Sequence, residues 1–236
     1  MSADQPREGR IPDGSSFLPG GFRFSDVPTE EIDRLEAELV PLADSVRALV
    51  DATIRSTVDL DEIRRARAEV DAVTARLRAA QMEGPAGVHF NAEGKAWHWG
   101  NAAVGARNAV APPMPVRRDP DGVTRADVEL GAAYEGPPGK VHGGVTALLL
   151  DHLMGVTASD GSRPTMTGTL TIRYERATPL GTVHLEGRIR GEEGVKVFVE
   201  ALVLDDEARV CVRAEGVFVV PRWARQFAGL PEESGD

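Results

Sequence analysis

The residues best suited to chemistry lie in one short stretch, where two glycines follow a histidine and an acid comes two helical turns later. These residues are His142, Gly143, Gly144 and Asp151. We expect the glycines to open a helix, where backbone N–H groups are unpaired and the positive end of the helix dipole points outward. One well-placed amide stabilises the charge that develops on a carbonyl oxygen during acyl transfer by about 3 kcal/mol. The stretch therefore predicts an oxyanion site.

Asp151 is the group that this stretch offers as a nucleophile or general base. It follows Leu148–Leu150 in an apolar run, where a buried carboxylate costs several kcal/mol unless it is paired or solvated. The alternative is that Asp151 lies in an exposed turn or pairs with an arginine. On a helix, Asp151 would lie about 10 Å along the axis from Gly144. The amide and the acid of one helix are therefore too far apart to act on the same carbonyl carbon.

The elements that must position these residues form an α+β pattern. The apolar run Val145 to Val156 predicts one buried helix. Six segments rich in β-branched residues predict strands: Met114 to Arg118, Val123 to Leu130, Thr165 to Tyr174, Gly181 to Arg190, Val195 to Leu204 and Val210 to Val220. The four consecutive strands after the helix favour antiparallel meander pairing. The order predicts one antiparallel sheet wrapped around a long helix, which is the hotdog fold.

The remaining segments predict appendages to this hotdog domain. We expect a mobile tail at residues 1–25, a helical hairpin at 26–82, an extended connector at 83–113, the hotdog domain at 114–222 and a C-terminal tail at 223–236. Tryptophans in a connector usually pack it against the next domain, although they can also line a ligand mouth. The appendages are therefore predicted to contribute packing rather than chemistry.

Two apolar stripes, each with alternating spacings of three and four residues, predict the hairpin. The stripes are Ile32, Leu35, Leu39, Leu42, Val46 and Leu49, then Ile63, Ala66, Val70, Val73, Leu77 and Ala80. Pro41 predicts a break or kink near Val40, because proline removes a helical hydrogen bond and clashes with the preceding turn. Two antiparallel helices packed on each other would cover both stripes. A contact between oligomer subunits is the other common use of such a stripe.

Two ordered motifs resemble those of the PaaI-like hotdog acyl-CoA thioesterases, within the thioesterase superfamily. The first runs from His142 to Asp151 and has the form HGG-x6-D, and the second is the strand segment Thr165 to Gly181. The preceding Glu135-Gly-Pro-Pro-Gly is similar to a variant found in long-chain acyl-CoA thioesterases of that superfamily. The resemblance covers about residues 108 to 222. It implies hydrolysis of an acyl-CoA to the free acid and CoA, with no cofactor and no metal.

The resemblance also implies where the reacting groups meet. In related hotdog enzymes the glycine amide of one subunit faces the acid of another, so we expect a homodimer or a dimer of dimers. Thr167 matches the position whose hydroxyl orients the acid or the attacking water. His142 is expected to orient a loop carbonyl or to contact substrate, and a helix cap or loop anchor is an equally common use of a histidine at this position. Whether Asp151 acts as nucleophile or as general base stays open.

Three further residues are expected to contact the substrate. The family places an asparagine or glutamine before the histidine, but this chain has Gly136-Pro137-Pro138-Gly139 there. Glu135 or a water molecule would then do what the amide side chain does in the family, or this chain has no counterpart of that side chain. Arg173 and Arg176 are candidates for binding the phosphates of CoA.

Composition limits the other classes of function. Lys and Arg number 27 against 37 Asp and Glu, for a net charge of −10, which argues against nucleic-acid or anionic-membrane partners. The single cysteine and the absence of an apolar leader favour the cytoplasm. A noncatalytic acyl-CoA or lipid-binding hotdog protein is the alternative function. A hotdog hydratase is disfavoured because its Asp-x5-His spacing is missing.

Overall fold

The structure is a computed structural model that describes residues 16–17, 22–159 and 163–228. The chain divides into two compact units. The first unit contains the residues up to Asn101 together with Ala106–Ala109, and the second contains Ala102–Gly105 and the residues from Val110 onward. Each unit has its own cluster of buried apolar side chains. The two clusters are described separately below.

The first unit combines a small sheet with two helices. The strands are β1 (Ser16–Phe17), β2 (Phe22–Phe24), β3 (Val88–Phe90) and β4 (Ala96–Trp97), in that order across the sheet. The helices are α1 (Thr29–Arg55) and α2 (Leu60–Arg78). Strands β2 and β3 pair in parallel, and the other two pairs are antiparallel. The cluster of buried side chains joins Ile32 and Leu35 of α1 to Trp97 and Trp99.

Parts of the segments predicted as a tail and a connector belong to this small sheet. Strands β1 and β2 lie in the predicted tail, of which residues 1–15 and 18–21 fall outside the described part of the chain. Strands β3 and β4 lie in the predicted connector, and its tryptophans belong to the buried cluster of the first unit. Strands of two or three residues are too short to show a periodic pattern, which is why the sequence did not indicate them.

The two helices form where the stripes predicted them, with two differences. Helix α1 runs without a break through Pro41. Proline removes one hydrogen bond, and the long helical segments on either side continue the helix past it. The predicted packing of a hairpin is also absent, because no residue of α2 is buried and no substantial interface joins α1 to α2 within the described residues.

The second unit has the predicted hotdog architecture. Helix α3 (Gly143–Ser159) lies against a six-stranded antiparallel sheet and contacts every strand. The strands are β5 (Val116–Arg118), β6 (Thr124–Leu130), β7 (Met166–Tyr174), β8 (Gly181–Glu193), β9 (Lys196–Leu204) and β10 (Val210–Val219). On the helix side the contact is close, because a Cβ at Gly187 of β8 would lie 2.6 Å from the Thr157 hydroxyl. The predicted α+β fold is confirmed.

The order of the strands differs from a simple meander. It runs β5-β6-β8-β9-β10-β7, so β7 pairs with β10 and β8 pairs with β6. Helix α3 separates β6 from β7 in the chain, and β7 therefore enters the sheet at the opposite edge. As a result β7 is an edge strand.

The predicted C-terminal tail is partly ordered. A 3-10 helix spans Arg222–Ala228 and buries Ala224, while residues 229–236 lie outside the described part of the chain. None of the helices described is long and apolar enough to span a bilayer.

Candidate active site

Helix α3 begins at Gly143, and the residue before it supplies the cap. The carbonyl of His142 accepts hydrogen bonds from the amides of Val145 and Thr146, and its Nδ1 accepts one from the Gly144 amide at 3.0 Å. The Gly144 amide is therefore already occupied. Within the described residues the Gly143 amide has no acceptor, as expected for the first position of a helix. Of the two predicted oxyanion donors, Gly143 is the one left available to a ligand.

The cap also fixes the tautomer of the His142 imidazole. Because the Gly144 amide donates to Nδ1, that nitrogen carries no proton and the neutral imidazole holds its proton on Nε2. The side chain is exposed. His142 thus presents a donor, rather than a base, to its surroundings.

The loop before His142 is held by its own hydrogen bonds. The Glu135 carboxylate accepts from the Gly139 amide at 2.6 Å, and the His142 amide donates to the carbonyl of Tyr134 at 2.9 Å. A Cβ at Gly136 would lie 2.8 Å from the His142 Cα, so only glycine fits there. Glu135 therefore shapes the loop that places His142, and its contact with substrate stays a prediction.

A tyrosine that the sequence analysis did not single out reaches the helix start. The Tyr174 hydroxyl donates to the Gly143 carbonyl at 2.8 Å, and the Thr146 hydroxyl donates to the same oxygen at 2.7 Å. A Cβ at Gly143 would lie 3.3 Å from the tyrosine oxygen. The chain has only two tyrosines, and Tyr134 and Tyr174 both contact this region. The small number of tyrosines was the signal available in the sequence, but it does not indicate which group the Tyr174 hydroxyl binds.

Asp151 and Thr167 are brought together by the packing of α3 on the edge strand. The Thr167 hydroxyl on β7 donates to Asp151 Oδ1 at 2.8 Å. Asp151 is only partly buried, and Leu148 is 37 % exposed. The deep burial expected from the leucine run is therefore wrong, because this face of α3 lies at the edge of the sheet. The carboxylate is accessible and oriented.

The helix start and the acid remain apart within one chain. Eight residues separate Gly143 from Asp151, which corresponds to about 12 Å along a helix. A thioester carbonyl bound at the Gly143 amide therefore lies beyond the reach of Asp151 in the same chain. The predicted separation of the two groups is present in the structure.

The two predicted phosphate-binding arginines lie at the end of β7. Arg173 and Arg176 are both exposed, and neither forms an ion pair within the described residues. Arg213, which lies opposite Arg173 on β10, is instead paired with Glu175 at 2.9 Å. Both predicted residues therefore offer unneutralised positive charge. No group of three His, Cys, Asp or Glu side chains in the described ranges is placed to hold a metal ion.

Comparison with known proteins decides the family. The profile of the Thioesterase superfamily matches residues 138–212, which include the helix start, Asp151 and Thr167. The crystal structure of protein RHA08564, a thioesterase superfamily protein, is 32% identical and superposes with a TM-score of 0.67. The match covers 77% of this chain and 90% of that chain. The chain belongs to the thioesterase superfamily.

Membership in the thioesterase superfamily confirms the resemblance drawn from the two motifs. A curated relative, acyl-coenzyme A thioesterase THEM4 of Xenopus laevis, is 33% identical over 91 residues. That match covers 38% of this chain and 41% of the relative, so this chain spans about two fifths of the length of that protein. The match to RHA08564 covers more residues than the second unit of this chain contains. The similarity to RHA08564 therefore extends into the first unit of this chain.

Proposed function

We propose that this chain is an acyl-CoA thioesterase, which hydrolyses its substrate to the free acid and CoA at a site shared by two protomers. The observation that carries the proposal is the oriented carboxylate of Asp151, held by Thr167 on an edge strand. Superfamily membership and the acyl-coenzyme A thioesterase relative support the same activity. Acyl-CoA is therefore the proposed substrate.

The shared site is supported by the position of β7. This nine-residue strand forms one edge of the sheet, and seven of its nine residues are exposed. A long exposed edge strand is a ready template for pairing with another copy. Antiparallel pairing through a two-fold axis reverses the direction of α3 in the second copy. The helix start of one protomer then faces the acid of the other, which removes the separation found within one chain.

The chemistry follows from the hydrogen bonds at the two ends of the site. The thioester oxygen accepts from the Gly143 amide, which stabilises the negative charge of the tetrahedral intermediate. Asp151 either attacks the carbonyl carbon or takes a proton from the attacking water. If Asp151 attacks, the C–S bond breaks, the sulfur leaves as the CoA thiolate, and water then hydrolyses the mixed anhydride to the free acid and the Asp151 carboxylate. If Asp151 acts as the base, the water attacks the carbonyl carbon directly, the C–S bond breaks, and the CoA thiolate takes up the proton from Asp151.

His142, Arg173 and Arg176 complete the proposal. The Nε2 proton of His142 offers a hydrogen bond to the substrate, in keeping with its role as a donor. The arginines have no carboxylate partner among the described residues and suit the phosphates of CoA. Buried Cys211 is the only cysteine of the chain, and we place the enzyme in the cytoplasm on that ground.

Hydrolysis of an acyl-CoA series, followed with a thiol reagent, tests the activity. We expect turnover by the purified protein and a loss of at least about a hundredfold in Asp151→Asn. The substituted side chain keeps an oxygen that accepts from Thr167, so the fold should persist. Thr167→Ser, which keeps the hydroxyl, is the matched control and should stay active. Tight acyl-CoA binding without turnover at any chain length would instead favour the noncatalytic acyl-CoA or lipid binder.

A further inference from the structure

Helix α2 carries an apolar face that the described residues of its own chain leave exposed. We call this face the α2 stripe: Ile63, Ala66, Val70, Val73 and Leu77. Its four large side chains are between 38 % and 52 % exposed, and no residue of the helix is buried. Helices of this length obtain most of their stability from packing an apolar face. The stripe therefore indicates a partner.

The residues of the stripe complement each other when two copies of α2 run antiparallel. With the two-fold axis between Val70 and Val73, Val70 of one copy faces Val73 of the other, and Ala66 faces Leu77. Each layer then sets a small side chain against a large one, or two of equal size. A parallel pair would set Ala66 against Ala66 and leave that layer underfilled. Shape therefore favours the antiparallel arrangement.

The charges beside the stripe agree with the same register. Glu69 and Arg76 flank the stripe on one side, and neither has an ion pair among the residues described. In the antiparallel register Glu69 of each copy lies opposite Arg76 of the other, which gives two symmetric ion pairs. A parallel pair would set Arg76 opposite Gln81 instead. The antiparallel register that fills the apolar layers therefore also places Glu69 beside Arg76 of the other copy.

The exposed apolar area is sufficient for a stable contact. Eleven large apolar residues between Leu42 and Leu77 are 38 % to 70 % exposed. At roughly 50 Å² of apolar surface each, they offer on the order of 500 Å² per chain. A stable dimer buries about 800 Å² per partner, of which about 60% is apolar. The α2 stripe supplies four of these eleven residues, and the rest of that apolar share comes from the other exposed residues of the two helices and of the segment between them.

We propose that the α2 stripe binds the α2 stripe of a second copy of this chain, antiparallel and around a two-fold axis between Val70 and Val73. The contact lies in the first unit, whereas β7 lies in the second. It is therefore an interface separate from the one proposed at β7. The proposal does not depend on the catalytic activity.

Cysteine cross-linking of the full chain tests the register. The native Cys211 is buried, so the wild-type chain should not cross-link. In Ala66→Cys/Leu77→Cys the two cysteines lie about 16 Å apart on one helix, too far for a disulfide within the chain. Across the proposed axis they face each other, and oxidation should produce a covalent dimer. Each single variant should stay monomeric on a denaturing gel.

Charge reversal in the same double-cysteine background tests the ion pairs. Glu69→Arg sets two arginines against each other at both pairs and should slow cross-linking roughly tenfold. Adding Arg76→Glu restores opposite charges and should restore cross-linking. Asp71→Arg is the matched control, since it makes the same change of charge away from the stripe and should have no effect.

Three outcomes would overturn the proposal. A single-cysteine variant that cross-links would indicate a parallel pair. If the double-cysteine variant does not cross-link, the partner of the stripe is α1 of the same chain or a different protein. If Glu69→Arg does not change the rate of cross-linking, the charges do not set the register.

Discussion

At the start of α3, hydrogen bonds tie the peptide group between Gly143 and Gly144 to three side chains. The His142 imidazole occupies the Gly144 amide, while the hydroxyls of Tyr174 and Thr146 hold the Gly143 carbonyl. The Gly143 amide remains, and it points along the helix axis with the positive end of the dipole. At the acid, Thr167 engages one carboxylate oxygen of Asp151. The two groups that the proposed reaction uses are therefore an amide and a carboxylate whose positions these hydrogen bonds hold.

Two substitutions at Gly143 separate the loss of its N–H from the effect of a new Cβ beside Tyr174. Proline is tolerated at the first helical position and lacks the N–H, whereas alanine keeps it. Both substitutions place a Cβ about 3.3 Å from the Tyr174 oxygen. We expect Gly143→Pro to lower kcat by about a hundredfold and Gly143→Ala to lower it far less, measured by steady-state hydrolysis. Equal losses in both variants would assign the effect to the Cβ rather than to the amide.

Tyr174 should act as a positioning residue. Tyr174→Phe keeps the ring and removes the hydroxyl that bonds to the Gly143 carbonyl. The loss of one hydrogen bond of about 1 kcal/mol should lower kcat by about fivefold. We expect KM and the thermal midpoint to change little, because Thr146 still holds that carbonyl. A fall in stability with unchanged kcat would make Tyr174 purely structural.

Among the elements, those with long, regular patterns were predictable. The apolar run at α3 and the six segments rich in β-branched residues gave the elements of the second unit nearly at their observed bounds. The position of β7 beside β10 was not predictable, because edge placement depends on how α3 crosses the sheet. Its consequence is large, since the edge position of β7 is what supports a shared site. The continuity of α1 through Pro41 also depends on the whole helix rather than on one residue.

The first unit contains a buried histidine. His89 of β3 is 5% exposed, stacks on Trp97 and donates from Nε2 to the carbonyl of Ala86 at 2.7 Å. Burial holds the pKa of the His89 imidazole below its usual value, and burial also lowers the pKa of His98. Both groups take up a proton more readily in the unfolded chain.

The first unit should therefore lose stability on acidification. Above the unfolded pKa of about 6.5 both states are neutral and stability is unaffected by these groups. Below it the unfolded state binds more protons, so the free energy of unfolding falls as the pH drops toward the folded pKa. We expect a lower urea midpoint at pH 5.5 than at pH 7.5, followed by fluorescence of the buried Trp97 and Trp99. A midpoint that is equal at both pH values would contradict this assignment.

At the scale of the whole molecule, the sequence predicted that the amide and the acid of one helix lie too far apart to act on the same carbonyl carbon. The structure retains that separation, and a second copy that completes the site is what the resemblance to hotdog thioesterases implies. The first unit was predicted less well, since its strands are short and the α2 stripe has no partner in its own chain among the described residues. Contacts between copies are not encoded in a local pattern, which limits what sequence periodicity can reveal about assembly.

Complementation between two inactive variants tests the shared site most directly. Asp151→Asn and Gly143→Pro chains carrying different tags are coexpressed, and the mixed dimers are isolated with both tags. If the acid and the amide come from different protomers, each mixed dimer holds one intact site and one doubly altered site. We predict acyl-CoA hydrolysis at roughly half the wild-type rate per dimer, far above either variant alone. Mixed dimers as inactive as both parents would contradict a site shared between protomers.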